Sequence, residues 1–314
     1  MQNKKMLITL LPLLALTACS KPAYKLELSV ATPSGSPATA FLKYFADTEH
    51  LEVNSSADNV LGYFTSANTN EKKDVIVAPT NGGIAKIKAG AEFQIAATLT
   101  FGNFFLLSTG LDEDQTLNEG DKVIAFQQNG VAGKLFNYVY GDKSLDVTYL
   151  DNAAAVKNEV LTNKNLDADY VLLAQPVVAA ILSQKADFKM FANVQEDYKT
   201  KSGGKEITQA SIFIRKGTDE KVADKFLKAI KSDVEEILNN PKKFIDKYAS
   251  SIEDEIFSAK MTGTKQLITN LLTNGNQIGL GFKYALENKE AIDAFIGSLG
   301  MPATNEEIYF SVNK

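Results

Sequence analysis

The sequence predicts an α/β protein with two lobes, each built on a mostly parallel sheet flanked by helices. Three observations lead to this prediction. A strand, a polar turn and an amphipathic helix follow one another repeatedly along the 314 residues. These units fall into two series separated by an acidic stretch, and a late strand precedes a long helical block. Alternation of strands and helices is typical of parallel sheets with crossover connections.

The first unit follows the N-terminal region directly. Lys25 to Ala31 alternates apolar and polar residues, which predicts a strand. The polar stretch Thr32 to Pro37 comes next, and Ser36 is a suitable cap for a helix whose first residue is Pro37. Apolar residues at helical spacing then give this helix a buried face.

The remainder of the first lobe repeats this pattern. Strands are predicted at 74–78, 93–99 and 104–108, with a turn at 79–83 and a short helix at 84–89. Residues 111–120 are acidic and loop-like, so we place the boundary between the lobes after residue 108. The first lobe is therefore expected to begin with residues 25–108.

The second lobe is expected to span residues 109–210. Its series predicts strands at 122–126, 146–150 and 169–174, a turn at 127–130, and helices from Val131, at 152–161 and from Pro176. Ala210 to Arg215 is read as the strand that returns to the first lobe. Residues 211–314 complete that lobe, and from Asp219 onward the pattern is almost wholly helical.

The N-terminus has the character of a secretory signal. Lys4 and Lys5 precede the apolar run Met6 to Leu16, which is too short for a permanent transmembrane helix. Leu16 to Cys19 resembles a bacterial lipobox. We therefore expect residues 1–18 to be removed, Cys19 to carry lipid, and residues 19–24 to form a tether to an extracytoplasmic membrane surface. The alternative is a plain signal peptide with an incidental cysteine.

Composition limits the remaining possibilities. Cys19 is the only cysteine, so no disulfide forms and the fold depends on its apolar core. The net charge is −5, and removal of Lys4 and Lys5 with the signal makes it about −7. Nucleic acid is an improbable partner for such a surface. We expect a monomer without a metal or other cofactor.

Polar turns at the predicted strand ends are the candidate ligand contacts. In open parallel sheets, ligands bind at the carboxyl ends of strands, where N–H groups of the following helices point outward. Turns of two facing lobes would meet in one cleft, although ordinary loops and caps have the same composition. The candidates are Ser34, Gly35, Ser36, Thr80, Asn81, Gly82, Phe101, Gly102, Asn103, Gln128, Asn129 and Gly130.

Five blocks in order carry a family resemblance: residues 31–37, 74–81, 100–103, 122–130 and 169–176. This order resembles that of the periplasmic-binding proteins of the sulfonate, nitrate and thiamine-precursor group of ABC importers. The resemblance implies a type II two-lobed fold with two hinge crossings, closure on a small ligand, and docking on a permease energised by a separate ATPase. It also makes Gln175 a candidate ligand contact, although the group usually has Glu at this place.

The ligand is only loosely constrained by the sequence. Arg215 is the single arginine and lies on the predicted return strand, so an arginine clamp for a carboxylate is not expected. A neutral or weakly charged organic molecule fits best, and a sulfonate held by helix N-termini stays open. Aromatic residues that could stack on a heterocycle, or simply belong to the core, are Tyr63, Phe64, Phe101 and Phe104.

An enzyme or a receptor for a macromolecule would be the alternatives to a solute-binding protein. His50 is the only histidine, and the sequence contains no HExxH or GxSxG motif. The acidic cluster Asp112, Glu113 and Asp114 is most simply a solvated loop. We therefore expect no catalytic activity, whereas the receptor alternative is left open by the sequence.

Overall fold

The computed structural model describes residues 24–66, 72–110 and 116–311. The predicted signal peptide at 1–18, the lipidation site Cys19 and the acidic cluster at 112–114 lie outside these residues. None of the helices in the described ranges combines the length and apolar character needed to cross a bilayer.

Two sheets form the centre of the protein. The six-stranded sheet has the order β11-β4-β10-β3-β1-β2, and the five-stranded sheet has the order β7-β6-β8-β5-β9. Their strands are β1 (Val30–Pro33), β2 (Leu51–Asn54), β3 (Val75–Pro79), β4 (Phe93–Thr100), β5 (Phe104–Ser108), β6 (Lys122–Phe126), β7 (Asp146–Leu150), β8 (Tyr170–Ala174), β9 (Lys189–Asn193), β10 (Ala210–Arg215) and β11 (Leu280–Tyr284).

Helices cover both sheets. A 3-10 helix, Ser36–Tyr44, follows β1, and two short 3-10 turns lie at Gly141–Lys143 and Glu306–Ile308. The α-helices are α1 (Ala57–Gly62), α2 (Thr80–Lys88), α3 (Val131–Tyr140), α4 (Ala153–Thr162), α5 (Val177–Leu182), α6 (Val194–Lys201), α7 (Glu220–Asn239), α8 (Pro241–Tyr248), α9 (Asp254–Met261), α10 (Lys265–Thr273) and α11 (Lys289–Ser298).

Each sheet is mixed in direction. β1 pairs in parallel with β2 and β3, and β6 pairs in parallel with β7 and β8. In the six-stranded sheet, β10 is antiparallel to β3 and β4, and the edge strand β11 is antiparallel to β4. In the five-stranded sheet, β5 is antiparallel to β8 and β9. β5 and β10 are each the first strand that the chain forms after passing from one sheet to the other.

The passage between the sheets corrects one predicted boundary. Phe104–Ser108 was expected to be the last strand of the first lobe, but it is β5 of the five-stranded sheet, where Phe105 pairs with Leu173 and Asn193. The first crossing is therefore the short segment 101–103, and the return runs through residues 202–209. We propose that the lobes divide at these two segments.

Several local predictions were wrong. The strand predicted from Lys25 begins at Val30, because the N–H of Leu26 donates to the carboxylate of Asp47 (2.8 Å) instead of pairing in the sheet. The helix predicted from Ile84 begins at Thr80, and the helix predicted from Pro37 is a 3-10 helix. Strands β2, β9 and β11 were not predicted.

The C-terminal helices pack on both lobes, although they were expected only on the first. Phe226 of α7 stacks on Phe41 of the 3-10 helix in the first lobe, with 6.4 Å between ring centroids. Phe295 of α11 instead meets the Tyr198 ring of α6 edge-on, and the ammonium group of Lys134 in α3 donates to the Leu299 carbonyl (3.3 Å). The helical block therefore bridges the two lobes.

Candidate ligand-binding cavity

A cavity of about 350 Å³ lies between the two sheets. Residues from both lobes line it, mostly at strand ends: Pro79 ends β3, Thr100 ends β4, Phe126 ends β6 and Ala174 ends β8. The cavity therefore lies at strand ends of both sheets. Its volume is at the lower end of the range typical of small-molecule sites.

Five of the predicted contact residues line this cavity: Ser34, Gly35, Ser36, Asn103 and Gln175. The first three belong to the loop after β1. Gly35 has a φ of +84°, which favours glycine, and its N–H donates to the Lys260 carbonyl (2.9 Å). The loop is therefore held against the end of α9 with the Ser36 hydroxyl buried.

Asn103 connects the two lobes at the edge of the cavity. Only 6% of its surface is exposed. Its side-chain Nδ2 donates to Ser36 Oγ (3.1 Å) and to the backbone carbonyl of Gln175 (3.0 Å). Its Oδ1 is buried and has no hydrogen-bond partner.

Gln175 uses its side chain for contacts within the protein. Its Nε2 donates to Gln277 Oε1 (2.9 Å), and its Oε1 accepts from the N–H of Ala179 in α5 (3.1 Å). Both polar atoms of the Gln175 side chain are therefore bonded within the protein.

Helix N-termini also face the cavity. Val131 and Ala132, the first residues of α3, line it together with Ala153, the first residue of α4. The first N–H groups of a helix have no acceptor within that helix, and the cap of α3, Gly130, offers no side chain. This wall therefore presents donors and partial positive charge to a ligand.

Two phenylalanine rings supply an apolar surface. Phe104 and Phe126 line the cavity with their ring centroids 6.3 Å apart and their planes inclined at 44°. The other aromatic candidates lie elsewhere. Phe64 packs against Phe93 in the core (4.8 Å), the Tyr63 hydroxyl donates to Glu52, and Phe101 lies beneath the ammonium group of Lys283.

No Asp, Glu, Lys, Arg or His is among the described residues that line the cavity. Arg215 is the last residue of β10 and does not line the cavity; its Nε donates to the Lys73 carbonyl (2.9 Å), and its guanidinium covers the Phe93 ring. The ammonium group of Lys260 donates to the Phe45 carbonyl (3.0 Å), and burial lowers its pKa. His50 does not line the cavity either, and its ring Nδ1 lies 3.1 Å from Oδ1 of Asp47.

Eight predicted contact residues do not line the cavity. Thr80, Asn81 and Gly82 form the first turn of α2, where the Thr80 hydroxyl bonds to that of Ser211 (2.8 Å). Phe101 and Gly102 lie in the first crossing. Gln128, Asn129 and Gly130 line a separate depression of about 390 Å³ that shares only Gln127 with the cavity.

Other lining residues were missed by the sequence reasoning. Thr100 ends β4 and Gln127 follows β6, so the same strand-end rule would have found them. Gln209 precedes β10, whose antiparallel direction brings its first residues to the same side of the sheet. Thr262 carried no such signal, because it follows α9 and reaches the cavity only through tertiary packing. Its φ of +54° is uncommon for threonine and marks this tight turn.

Comparison with known proteins gives structural but not sequence relatives. A scan against models of protein families finds no match, and a search of the curated proteins finds none either. An ABC transporter protein from Parabacteroides distasonis superposes with a TM-score of 0.70 at 16% identity, covering 91% of this chain and 99% of that one.

Two further solved structures have the same architecture. The periplasmic aliphatic sulphonate binding protein of Escherichia coli has a TM-score of 0.63 at 12% identity, covering 91% of this chain and 92% of its own. The ligand-binding component of a Staphylococcus aureus ABC-type import system, with zinc bound, has a TM-score of 0.64 at 9% identity, covering 90% of this chain and 96% of its own.

This chain has the periplasmic-binding-protein fold. The prediction of a two-lobed α/β fold of this type is therefore confirmed. The cavity lies where the two crossings and the strand ends of both lobes come together.

Proposed function

We propose that this protein is an extracytoplasmic solute-binding lipoprotein of an ABC importer. It binds a small organic solute in the cavity between its lobes and delivers it to a permease that a separate ATPase energises. Cys19 carries the lipid that holds the protein at the membrane, and the protein acts as a monomer without catalysing a reaction.

The cavity itself carries this proposal. A space of about 350 Å³ is lined by residues of both lobes, including Ser36 from the first and Val131 from the second. A ligand that contacts both walls stabilises the closed arrangement relative to an open one, which is how binding changes the shape presented to a partner. The similarity to solute-binding proteins of importers supports the same proposal at the level of the fold.

The chemistry of the wall supports binding rather than catalysis. The described residues around the cavity offer hydroxyls, amides and helix N–H groups, but no side chain that exchanges a proton near neutral pH. The hydroxyls of Ser34 and Ser36 therefore have no base beside them in the wall. An activated nucleophile requires such a base.

Thermal stability in the presence of ligands tests the proposal. The soluble form lacking residues 1–19 is heated with a broad panel of metabolites, and the Tm is followed by circular dichroism because the chain has no tryptophan. A ligand at 100 times its Kd adds about 2.7 kcal/mol to the free energy of unfolding, a clear shift in Tm. Saturable stabilisation without turnover is expected. Turnover, or silence across the whole panel, would reject the proposed function.

Lipidation is tested separately. The full-length protein is expressed in a bacterium fed radiolabelled palmitate, beside a Cys19→Ser variant. Label in the parent protein and its absence from the variant are expected. A parent protein that is secreted without label would contradict the anchor while leaving solute binding intact.

A further inference from the structure

We propose that Gln127 and Thr262 are specificity-determining residues of the solute site, one in each lobe. This inference rests on the proposed function, because it concerns the ligand of the same cavity. Two independent observations single out this pair among the described residues that line the cavity. Their side chains are exposed, and their backbones are left-handed although neither residue is glycine.

Exposure distinguishes these two residues from the rest of the wall. Gln127 and Thr262 are exposed, whereas every other described residue that lines the cavity is buried or partly buried. The buried amides of Asn103 and Gln175 already bond to other parts of the protein. A solute in the cavity therefore finds the polar atoms of Gln127 and Thr262 accessible for hydrogen bonds.

The two residues belong to opposite lobes. Gln127 follows β6 of the five-stranded sheet, and Thr262 follows α9, to which the first-lobe loop after β1 is bonded. The turn after α9 also approaches the second lobe, because a Cβ built on Gly263 would lie 3.6 Å from Cγ of Pro176. A solute that contacts both side chains therefore bridges the lobes, and such contacts favour the closed arrangement.

The backbone of both residues is in the left-handed region. The φ angle is +53° at Gln127 and +54° at Thr262, which is uncommon for residues other than glycine and least favourable for a β-branched residue such as threonine. Two other non-glycine residues in the described ranges share this conformation: Asn276, whose amide bonds to the N–H and the carbonyl of Leu280, and Ser144, which does not line the cavity. Strained backbone is retained where the side chain serves a function, and the cavity supplies one for this pair.

Local hydrogen bonds hold the backbone of Gln127 and leave its side chain available. Its N–H donates to the Leu150 carbonyl (2.9 Å), and its carbonyl accepts from the N–H of Gly130 (2.8 Å). The side-chain amide has no hydrogen-bond partner among the described residues. The Thr262 hydroxyl donates to the Met261 carbonyl (2.7 Å), so its oxygen is left to accept. The pair therefore offers a solute one amide that donates and accepts, and one hydroxyl that accepts.

Glycine variants separate a functional role from a structural one. Gln127→Gly and Thr262→Gly relieve the left-handed conformation, so the Tm of the protein without added compound should stay the same or rise. The panel compound that raises the Tm of the parent protein most is the probe compound, and its Kd is measured by calorimetric titration. The Kd should rise about 2- to 10-fold in each variant, the range for one lost hydrogen bond. Ser144→Gly is the matched control, because Ser144 is exposed and has a φ of +52° but lies outside the cavity, and it should leave the Kd unchanged.

Thiol alkylation tests whether a bound solute covers the pair. The soluble form lacking residues 1–19 has no cysteine, so Gln127→Cys, Thr262→Cys and Ser144→Cys each place a single thiol in the protein. Alkylation by N-ethylmaleimide is followed by mass spectrometry, with and without a saturating concentration of the probe compound. The reaction should be slowed by about tenfold or more at positions 127 and 262, because it requires access to the sulfur, and it should be unchanged at position 144.

The outcomes separate the two proposals. If the probe compound binds the parent and both glycine variants with the same Kd, or leaves the thiols at 127 and 262 fully reactive, this inference is overturned and solute binding stands. A lower Tm of both glycine variants without added compound would mean that the side chains hold their turns, and it would overturn the inference as well. If no compound of the panel binds, the proposed function is rejected and this inference falls with it.

Discussion

Asn103 and Gln175 are joined by two hydrogen bonds, one in each direction. The side-chain Nδ2 of Asn103 donates to the Gln175 carbonyl (3.0 Å), and the N–H of Gln175 donates to the Asn103 carbonyl (2.9 Å). The same Nδ2 also reaches Ser36 in the first lobe. One side chain in the first crossing therefore ties the strand end of β8 to the loop after β1.

Asn103→Ala should weaken both the fold and ligand binding. The substitution leaves the Ser36 hydroxyl and the Gln175 carbonyl without their donor, so we expect a loss of about 1–3 kcal/mol in the free energy of unfolding. Urea denaturation followed by circular dichroism measures the first effect, and calorimetric titration measures the second. Asn270→Ala, on the exposed face of α10, is the control and should change neither. An unchanged denaturation midpoint for Asn103→Ala would contradict the role of this contact.

Filling the cavity should weaken binding without unfolding the protein. Ala153 begins α4 and lines the cavity, whereas its neighbour Ala154 is exposed and does not. A phenylalanine at position 153 places a benzyl group in the space that the ligand needs, and we expect affinity to fall at least tenfold. The same change at position 154 is the matched control. Equal affinity of the two variants would place the ligand elsewhere.

Local patterns in the sequence were sufficient for much of the fold. Ala210 to Arg215 was predicted as a strand with the bounds that β10 has, because a short apolar run between polar segments identifies a buried strand. The lobe to which β5 belongs was not predicted correctly. Its partners, β8 and β9, lie far along the chain, and an apolar run does not specify its partners.

The candidate site was predictable to a similar extent. The strand-end rule led to Ser36 and Asn103, because it depends only on the order of strands and turns. It failed for Asn81, which lies in the first turn of α2 but does not line the cavity. Contributions from the C-terminal helices, such as Thr262 and Gln277, depend on packing between distant segments that no local pattern records.

Gly279 should be far less tolerant of substitution than other glycines with positive φ. Its φ is +65°, and a Cβ built on it would lie 1.9 Å from the Gly102 carbonyl oxygen. Gly300 has a φ of +81° but open space around it, so Gly300→Ala reports the backbone cost alone, about 1–2 kcal/mol. Gly279→Ala should cost about 1–3 kcal/mol more, because the first crossing must shift.

Ligand binding provides a second measurement for the same pair. The Gly279 carbonyl accepts from the N–H of Phe101 (2.7 Å), two residues before Asn103, so a shifted crossing also displaces the cavity wall. Gly279→Ala should therefore bind ligand more weakly, and Gly300→Ala should bind it normally. Equal stability of the two variants would show that the contact between a Cβ at position 279 and the Gly102 carbonyl is relieved without loss of stability.

Asp47 should make the protein sensitive to acid. Burial by itself would raise the pKa of this carboxyl, but hydrogen bonds from the Leu26 N–H, the His50 ring and the His50 N–H together lower the pKa below its ordinary value. A carboxyl with a lowered pKa in the folded state stabilises the protein above the unfolded pKa of about 3.9. That stabilisation is lost as the pH falls through the lower, folded pKa.

Asp47→Asn should therefore cost about 1–3 kcal/mol at pH 7 and progressively less as the pH falls below about 4. Urea denaturation of the parent and the variant, once at pH 7 and once below about pH 4, measures the difference. Asp187→Asn, at an exposed position, is the control and should track the parent throughout. A cost for Asp47→Asn that stays the same at both pH values would mean that the charge of Asp47 contributes nothing, and that only the shape of the side chain holds the N–H of Leu26.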